Sequence, residues 1–141
     1  MIGGVRVSQK LDYACRAAVC LTRHYDENSV MKLEDISRRE EISPSFLVQI
    51  LNEMKRAGLV TSKRGKSGGY LLARPPGGIT ILDIVKAIEP ALVEIPTDSP
   101  GSSGSAVSKV WQGVSTRLSD RLKSISLEAV AADAAEPMYF I

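Results

Sequence analysis

Lys63-Arg64-Gly65-Lys66-Ser67-Gly68-Gly69-Tyr70-Leu71-Leu72-Ala73 is the stretch that decides the fold. Two short runs with strand character, Leu59 to Arg64 and Tyr70 to Arg74, flank a turn, Gly65 to Gly69, rich in residues that accept positive φ. The pattern predicts a β-hairpin with a cationic tip. Six basic residues, Lys55, Arg56, Lys63, Arg64, Lys66 and Arg74, fall within this region with no acid among them. From Pro75 to Ser105 the balance reverses, with Asp83, Glu89, Glu94 and Asp98 against Lys86. The net charge of +2 over 141 residues therefore conceals a local cationic patch. A charge run by itself is usually a solvated face; the segments around this one change that reading.

Upstream, apolar residues recur at helical spacing in three places. A first helix is predicted from Ser8 to Tyr25, capped by Ser8, with Leu11, Ala14, Cys15, Ala18, Val19 and Leu21 or Thr22 on its inner face. A short second helix covers Leu33 to Glu40, with Leu33 and Ile36 inward and Glu34 and Asp35 suiting its positive end. Ser43-Pro44 then starts a third helix, Ser43 as cap and Pro44 at the first helical position, running to Ala57 and ended by Gly58. Leu47, Ile50, Leu51 and Met54 point inward; Ser45, Gln49, Asn52, Glu53 and Arg56 point outward. Downstream of the hairpin, Pro75-Pro76-Gly77-Gly78 breaks the chain, and Thr80 with Asp83 forms a capping box for a helix from Ile81 to Glu89.

Pro96 to Ser105 is rich in Pro, Gly and Ser and reads as a flexible loop. The chain divides into a module over residues 1–92, a loop over 93–105 and a helical segment over 106–141. A long helix from Ala106 to Ile125 carries Val107, Val110, Trp111, Val114, Leu118, Leu122 and Ile125 on one stripe. That stripe is longer than the module needs to cover itself, so it is the candidate dimer interface. Ser126 caps a short last helix through Ala132. The fold class is mainly α with a small hairpin: a winged helix-turn-helix plus a long dimerisation helix.

This order of elements suits duplex DNA. A helix fits the major groove, where base edges are distinguishable, and its N-terminus offers free N–H groups to phosphate. Ser43, Ser45 and Gln49 at the start of the third helix are candidate contacts. A glycine-rich hairpin carrying Lys63, Arg64, Lys66, Ser67, Gly68 and Gly69 is narrow enough to approach the backbone or the minor groove, whose potential favours Arg.

The sequence resembles the Rrf2 family of transcriptional regulators. The resemblance rests on Ser8-Gln9-Lys10-Leu11-Asp12-Tyr13-Ala14, on Ile42-Ser43-Pro44-Ser45-Phe46-Leu47 followed by Gln49-Ile50-Leu51, on Ala57-Gly58-Leu59-Val60-Thr61-Ser62, on the hairpin itself, and on Ile79 to Glu89. It implies dimerisation through the long helix and DNA contacts from Ser43, Ser45, Phe46 and Gln49 and from Arg64 to Gly69. Two departures stand out. Many relatives carry Glu just before the Gln of the third helix, whereas Val48 stands here; a carboxylate accepts from cytosine N4 and an isopropyl group does not, so the operator should differ. Sensor members hold an iron–sulfur cluster with three cysteines between the fourth helix and the dimer helix; Pro90 to Gln112 contains no Cys and no His, and no cofactor is expected.

The other conspicuous residues have ordinary readings. Cys15 and Cys20 are five apart, neither a metal pair nor a disulfide framework, and serve as small core residues in a reducing compartment. His24 is a solvated residue near a helix end, and Trp111 belongs to the apolar stripe. Glu40-Glu41 has no nucleophile beside it, and Ser67-Gly68-Gly69 fails as a nucleotide loop because it does not lead from a strand into a helix. Catalysis is not expected. No run reaches the ~20 apolar residues of a membrane span, and the opening residues lack a secretory apolar stretch, so a cytoplasmic setting is expected. The function expected is a sequence-specific DNA-binding regulator, a repressor acting as a homodimer on a near-palindromic operator. The competing reading is a winged-helix protein–protein module that has lost DNA binding and regulates, or is regulated by, a partner enzyme; within the DNA-binding reading, the resemblance includes members controlled by an enzyme of cysteine synthesis. The effector, small molecule or protein, is left open.

Overall fold

The computed structural model describes residues 6–26, 29–94 and 99–135. Its helices are α1 (Gln9–Arg23), α2 (Leu33–Glu40), α3 (Pro44–Arg56), α4 (Ile81–Ile88), α5 (Gly104–Lys123) and α6 (Leu127–Ala135), with strands β1 (Val60–Lys63) and β2 (Gly69–Leu72) between α3 and α4. The mainly helical class and the single hairpin match the sequence reading.

Local chemistry accounts for most boundaries. Ser8 Oγ accepts from the Leu11 N–H at 3.1 Å and starts α1. This helix stops at Arg23 rather than Tyr25, because the Tyr25 N–H turns back to the Thr22 carbonyl. The capping box at α4 forms in both directions: Asp83 N–H donates to Thr80 Oγ1, and Thr80 N–H donates to Asp83 Oδ2. Ser126 Oγ accepts from the Ala129 N–H and caps α6, which runs three residues beyond the expected Ala132. The last long helix begins earlier than expected. Gly104 and Ser105, read as loop for their poor helix propensity, form its first turn; Gly104 lies so close to Ser99 that a Cβ there would stand 2.6 Å from the Ser99 carbonyl carbon.

The two strands pair antiparallel, Val60 opposite Leu72 and Lys63 opposite Gly69. They are shorter than predicted. Arg64 bends into the turn, and the Arg74 guanidinium is drawn to the Gly58 and Gly78 carbonyls. A third piece of backbone joins the sheet edge, since Met31 and Tyr70 exchange two N–H···O bonds of 2.8 Å.

One apolar core runs through the molecule. Ile36, Leu47, Ile50, Leu51, Met54, Ile79 and Ile84 are its largest fully buried members, from α2, α3, α4 and the stretch before α4, and Ala14 and Ala17 of α1 pack with them at 0% exposure. Leu127 of α6 joins them at 0% exposure. The chain past α5 thus returns to the N-terminal module. Ile79 and Ile125 carbonyls accept from the Leu127 and Ile81 N–H groups at 2.9 Å, and α6 lies along α1. The Ser126 cap predicted this helix but not its place, because a capping residue marks where a helix starts without saying what it packs against.

Candidate nucleic-acid interface

The α2–α3 corner is built around Glu41, which adopts the left-handed conformation (φ 56°, ψ 48°) that lets the chain reverse direction in three residues. Ile42 is buried beneath it, and Ser37 fastens the corner, its carbonyl accepting from Ile42 N–H and its hydroxyl donating to Ile42 O at 2.6 Å. Ser43 has the extended backbone of an N-cap residue but forms no side-chain capping bond. The sequence reading gave its hydroxyl that role. Pro44, with φ already fixed, starts the helix instead, and the first-turn N–H groups have no intrahelical acceptor.

Ser43, Ser45 and Gln49 are exposed on α3. Phe46 differs from them. It is half-buried and meets Tyr13 of α1 edge-on, ring centroids 5.5 Å apart at 69°. Much of its ring therefore packs inside the protein. Val48 is half-buried as well. On the hairpin, Lys63, Arg64, Lys66 and Ser67 are exposed and Gly68 and Gly69 half-buried.

The glycines explain why this turn has its composition. Gly65 has φ 99°, outside the range of ordinary side chains. A Cβ on Gly69 would sit 2.7 Å from the Met31 carbonyl carbon, and one on Gly68 would sit 2.9 Å from the Gly65 oxygen. The tight turn and the Met31 crossing need bare backbone.

The six basic residues of the patch divide into two groups. Lys55 Nζ donates to Ser62 Oγ at 2.6 Å, tying α3 to the hairpin, and Arg74 reaches Asp83 at 3.3 Å. These two hold the module together. Arg56, Lys63, Arg64 and Lys66 are exposed and, among the described residues, form no ion pair. Sequence reasoning overlooked the long-range pairs that tie α1 to its neighbours: Lys10 with Glu53 of α3 at 2.8 Å, and Arg16 with Glu40 of α2. Nothing in local sequence announces partners so far apart along the chain.

The stripe on α5 lies outside the core at one end and against it at the other. Val107, Val110, Trp111 and Val114 are 48%, 60%, 51% and 48% exposed, whereas Leu118 and Leu122 are half-buried. Ser115 hydroxyl donates to the Val93 carbonyl and pins the middle of the helix.

Both cysteines are on α1. Burial pushes each thiol up to about 11, with Asp12 adding to the effect at Cys15 and Glu40 at Cys20. Among the described residues no group of three or more His, Cys, Asp or Glu could hold a metal ion. No helix among them is long and apolar enough to cross a membrane.

A short helix, a sharp corner and a helix with an exposed polar face, beside a hairpin of uncommitted cations, define a winged-helix DNA-binding transcriptional regulator. The chain belongs to the Rrf2 family: residues 7–133 match the family profile, described as iron-dependent transcriptional regulators. It is similar to the HTH-type transcriptional regulator IscR of Cereibacter sphaeroides, 34% identical over 137 residues, covering 85% of this chain and 88% of that one. IscR of Xenorhabdus nematophila is 34% identical over 128 residues, 88% of this chain and 77% of the relative. Among solved structures, CymR, the global cysteine regulator of B. subtilis, superposes with a TM-score of 0.79 at 25% identity, covering 92% of this chain and 98% of that one. T. potens IscR gives 0.78 at 33% identity, covering 98% and 94%. These relatives are regulators of transcription, not enzymes. An iron–sulfur cluster on three thiolates does not fit this chain, which has two cysteines in all, both on α1 with their thiols held protonated by burial.

Proposed function

We propose that this regulator is a cytoplasmic repressor that binds a near-palindromic operator as a homodimer. The observation that carries the reading is the juxtaposition of exposed Ser43, Ser45 and Gln49 on α3 with unpaired Lys63, Arg64 and Lys66 on the wing. Gln49 reads base edges in the major groove, and its amide suits adenine. The wing cations neutralise phosphate, and Arg64 is placed for a narrow minor groove. Gly68 and Gly69 let the hairpin backbone come close to the duplex. Phe46 contributes only its outer edge, since the remainder of its ring lies against Tyr13.

The exposed end of the α5 stripe supports a second copy as its cover. Val107, Val110, Trp111 and Val114 recur at three- and four-residue spacing on one face, a pattern that a two-fold axis buries symmetrically. Two recognition helices then lie about one DNA turn apart, or a multiple of it, so half-sites repeat with inverted symmetry. Val48 withdraws a carboxylate from the reading surface, so the operator lacks a cytosine contact of that kind.

Selection of duplexes from a random pool by the purified protein tests the reading. It should return inverted repeats, and light scattering should give a dimer that the double substitution Val114→Asp, Leu118→Asp disrupts. A pool that shows no enrichment would refute sequence-specific binding; a well-folded double variant that stays dimeric with full operator affinity would move the dimer interface elsewhere.

A further inference from the structure

Arg16 lies on α1, and its guanidinium nitrogens are all engaged within the protein. Its Nη2 donates to the main-chain carbonyl of Glu40, the last residue of α2. Its Nε stands 3.6 Å from the Glu40 carboxylate, and its Nη1 donates to Asp12 at 3.3 Å. The guanidinium also lies 5.2 Å from the centroid of the Tyr13 ring, whose hydroxyl accepts from Gln9 at 2.9 Å. Tyr13 in turn meets Phe46 in the first turn of α3.

One side chain therefore bears on both arms of the helix-turn-helix. It grips the end of α2 directly and the start of α3 through two rings that meet edge to face. Between those grips is Glu41, the one described non-glycine residue with positive φ. A residue other than Gly or Asn in that conformation is held there by its surroundings. The carbonyl that Arg16 takes belongs to the peptide immediately before it. An orphan carbonyl at the end of α2 is thus satisfied by a charge-assisted donor at the point where the chain must turn.

We propose that Arg16 is a positioning residue for DNA reading: it sets the angle of α3 to α2, and so the placement of Gln49 in the groove, without touching DNA. The proposal rests on the operator-binding reading above. Base readout demands aligned bidentate contacts, whereas phosphate contacts tolerate small rotations. Loss of the grip should therefore lower discrimination more than attraction.

Three full-length variants test this. Arg16→Met keeps the apolar stem and removes every donor. Arg16→Lys keeps a cation over Tyr13 but lacks the fork that serves the Glu40 carbonyl and carboxylate together. Tyr13→Leu breaks the relay to Phe46. Hydrogen exchange without DNA is the first readout. Amides of residues 41–47 should exchange faster in Arg16→Met and Tyr13→Leu, with α6 unchanged and Arg16→Lys intermediate. Affinities for the selected operator and for random duplex are the second. Operator affinity should fall roughly tenfold in Arg16→Met, the equivalent of one charge-assisted bond. Random-duplex affinity should change less than about twofold, since the wing cations are intact. Unchanged exchange at 41–47, or acceleration spread evenly over the protein, would overturn the brace whatever the DNA result. Equal loss on both duplexes would overturn its role in reading. If the unaltered protein shows no sequence preference, the operator reading fails, while the exchange measurement still decides the brace. Should Arg16→Met not fold, Arg16→Lys and Tyr13→Leu carry the same comparisons.

Discussion

Gly69→Ala is the smallest substitution that should unseat the wing. A Cβ at this position would stand 2.7 Å from the Met31 carbonyl carbon and 3.1 Å from the Lys32 nitrogen, both backbone atoms that cannot swing aside. Relief requires the Met31 strand to move off the sheet edge, which breaks the two 2.8 Å bonds between Met31 and Tyr70. Each contributes about 1 kcal/mol net, and residual strain adds about another, for a loss of roughly 2–3 kcal/mol. For a domain of this size the melting temperature should fall by roughly 6–12 °C. Gly78→Ala is the matched control, because nothing lies within 4 Å of the point where its Cβ would stand; it should stay within about 0.5 kcal/mol of the parent. Urea and thermal unfolding at one fixed protein concentration measure both, and concentration must be held constant if the protein dimerises. A Gly69→Ala loss no larger than that of Gly78→Ala would show that the crossing of Met31 over the wing is not the constraint inferred from it.

Three further outcomes are expected. Leu127→Ala should cost roughly 3 kcal/mol, because a fully buried leucine is removed from the core; a urea midpoint unchanged at constant slope would place α6 outside it. Replacing Lys63 and Lys66 together by Gln should reduce the log–log salt slope of DNA binding by about 1.8, or 0.9 per lost phosphate contact. Lys55→Gln should reduce it far less, since that ammonium is bonded to Ser62; equal effects from Lys55 and a wing lysine would contradict the division of the patch. With both thiols raised from 9.0 to about 11, iodoacetamide at pH 8 should label the folded protein roughly a hundredfold more slowly than the urea-unfolded chain. The same shift gives its stability in full below about pH 9 and loses it as pH rises towards 11; equal labelling rates, or stability flat across that window, would contradict it.

What the sequence disclosed, and what it hid, follows the range of the interactions. Ser8, Thr80 and Asp83 act within a single helical turn, so their pattern in the sequence is sufficient to place the helix starts they make. The glycines of the wing were legible as a turn, but the reason for Gly69 was not, because Met31 approaches it from a distant segment. Ser43 shows the limit of a local rule: Ser-Pro marks the start of α3 correctly, yet the hydroxyl is not what starts it. The cationic run was visible as composition, while the loss of Lys55 and Arg74 to internal bonds depends on tertiary contacts. Phe46 belongs to the same class, an aromatic on α3 whose ring meets Tyr13 edge-on. Arg16 carries no local signal in the sequence, and only the meeting of three helices gives it a task.

The return of α6 to α1 bears on how the protein is made. A nascent chain that has reached Lys123 already holds the wing, α3 and the whole α5 stripe, but the side of α1 that α6 covers is still bare. Synthesis of the stretch from there to Ala135 takes about a second at ordinary elongation rates. Until α6 docks, the side of α1 that it covers stays exposed. Closing it requires pairing segments from opposite ends of the fold, a slow class of contact to form. A chain broken before Leu127 lacks that cover for α1 and should be less stable than the whole protein.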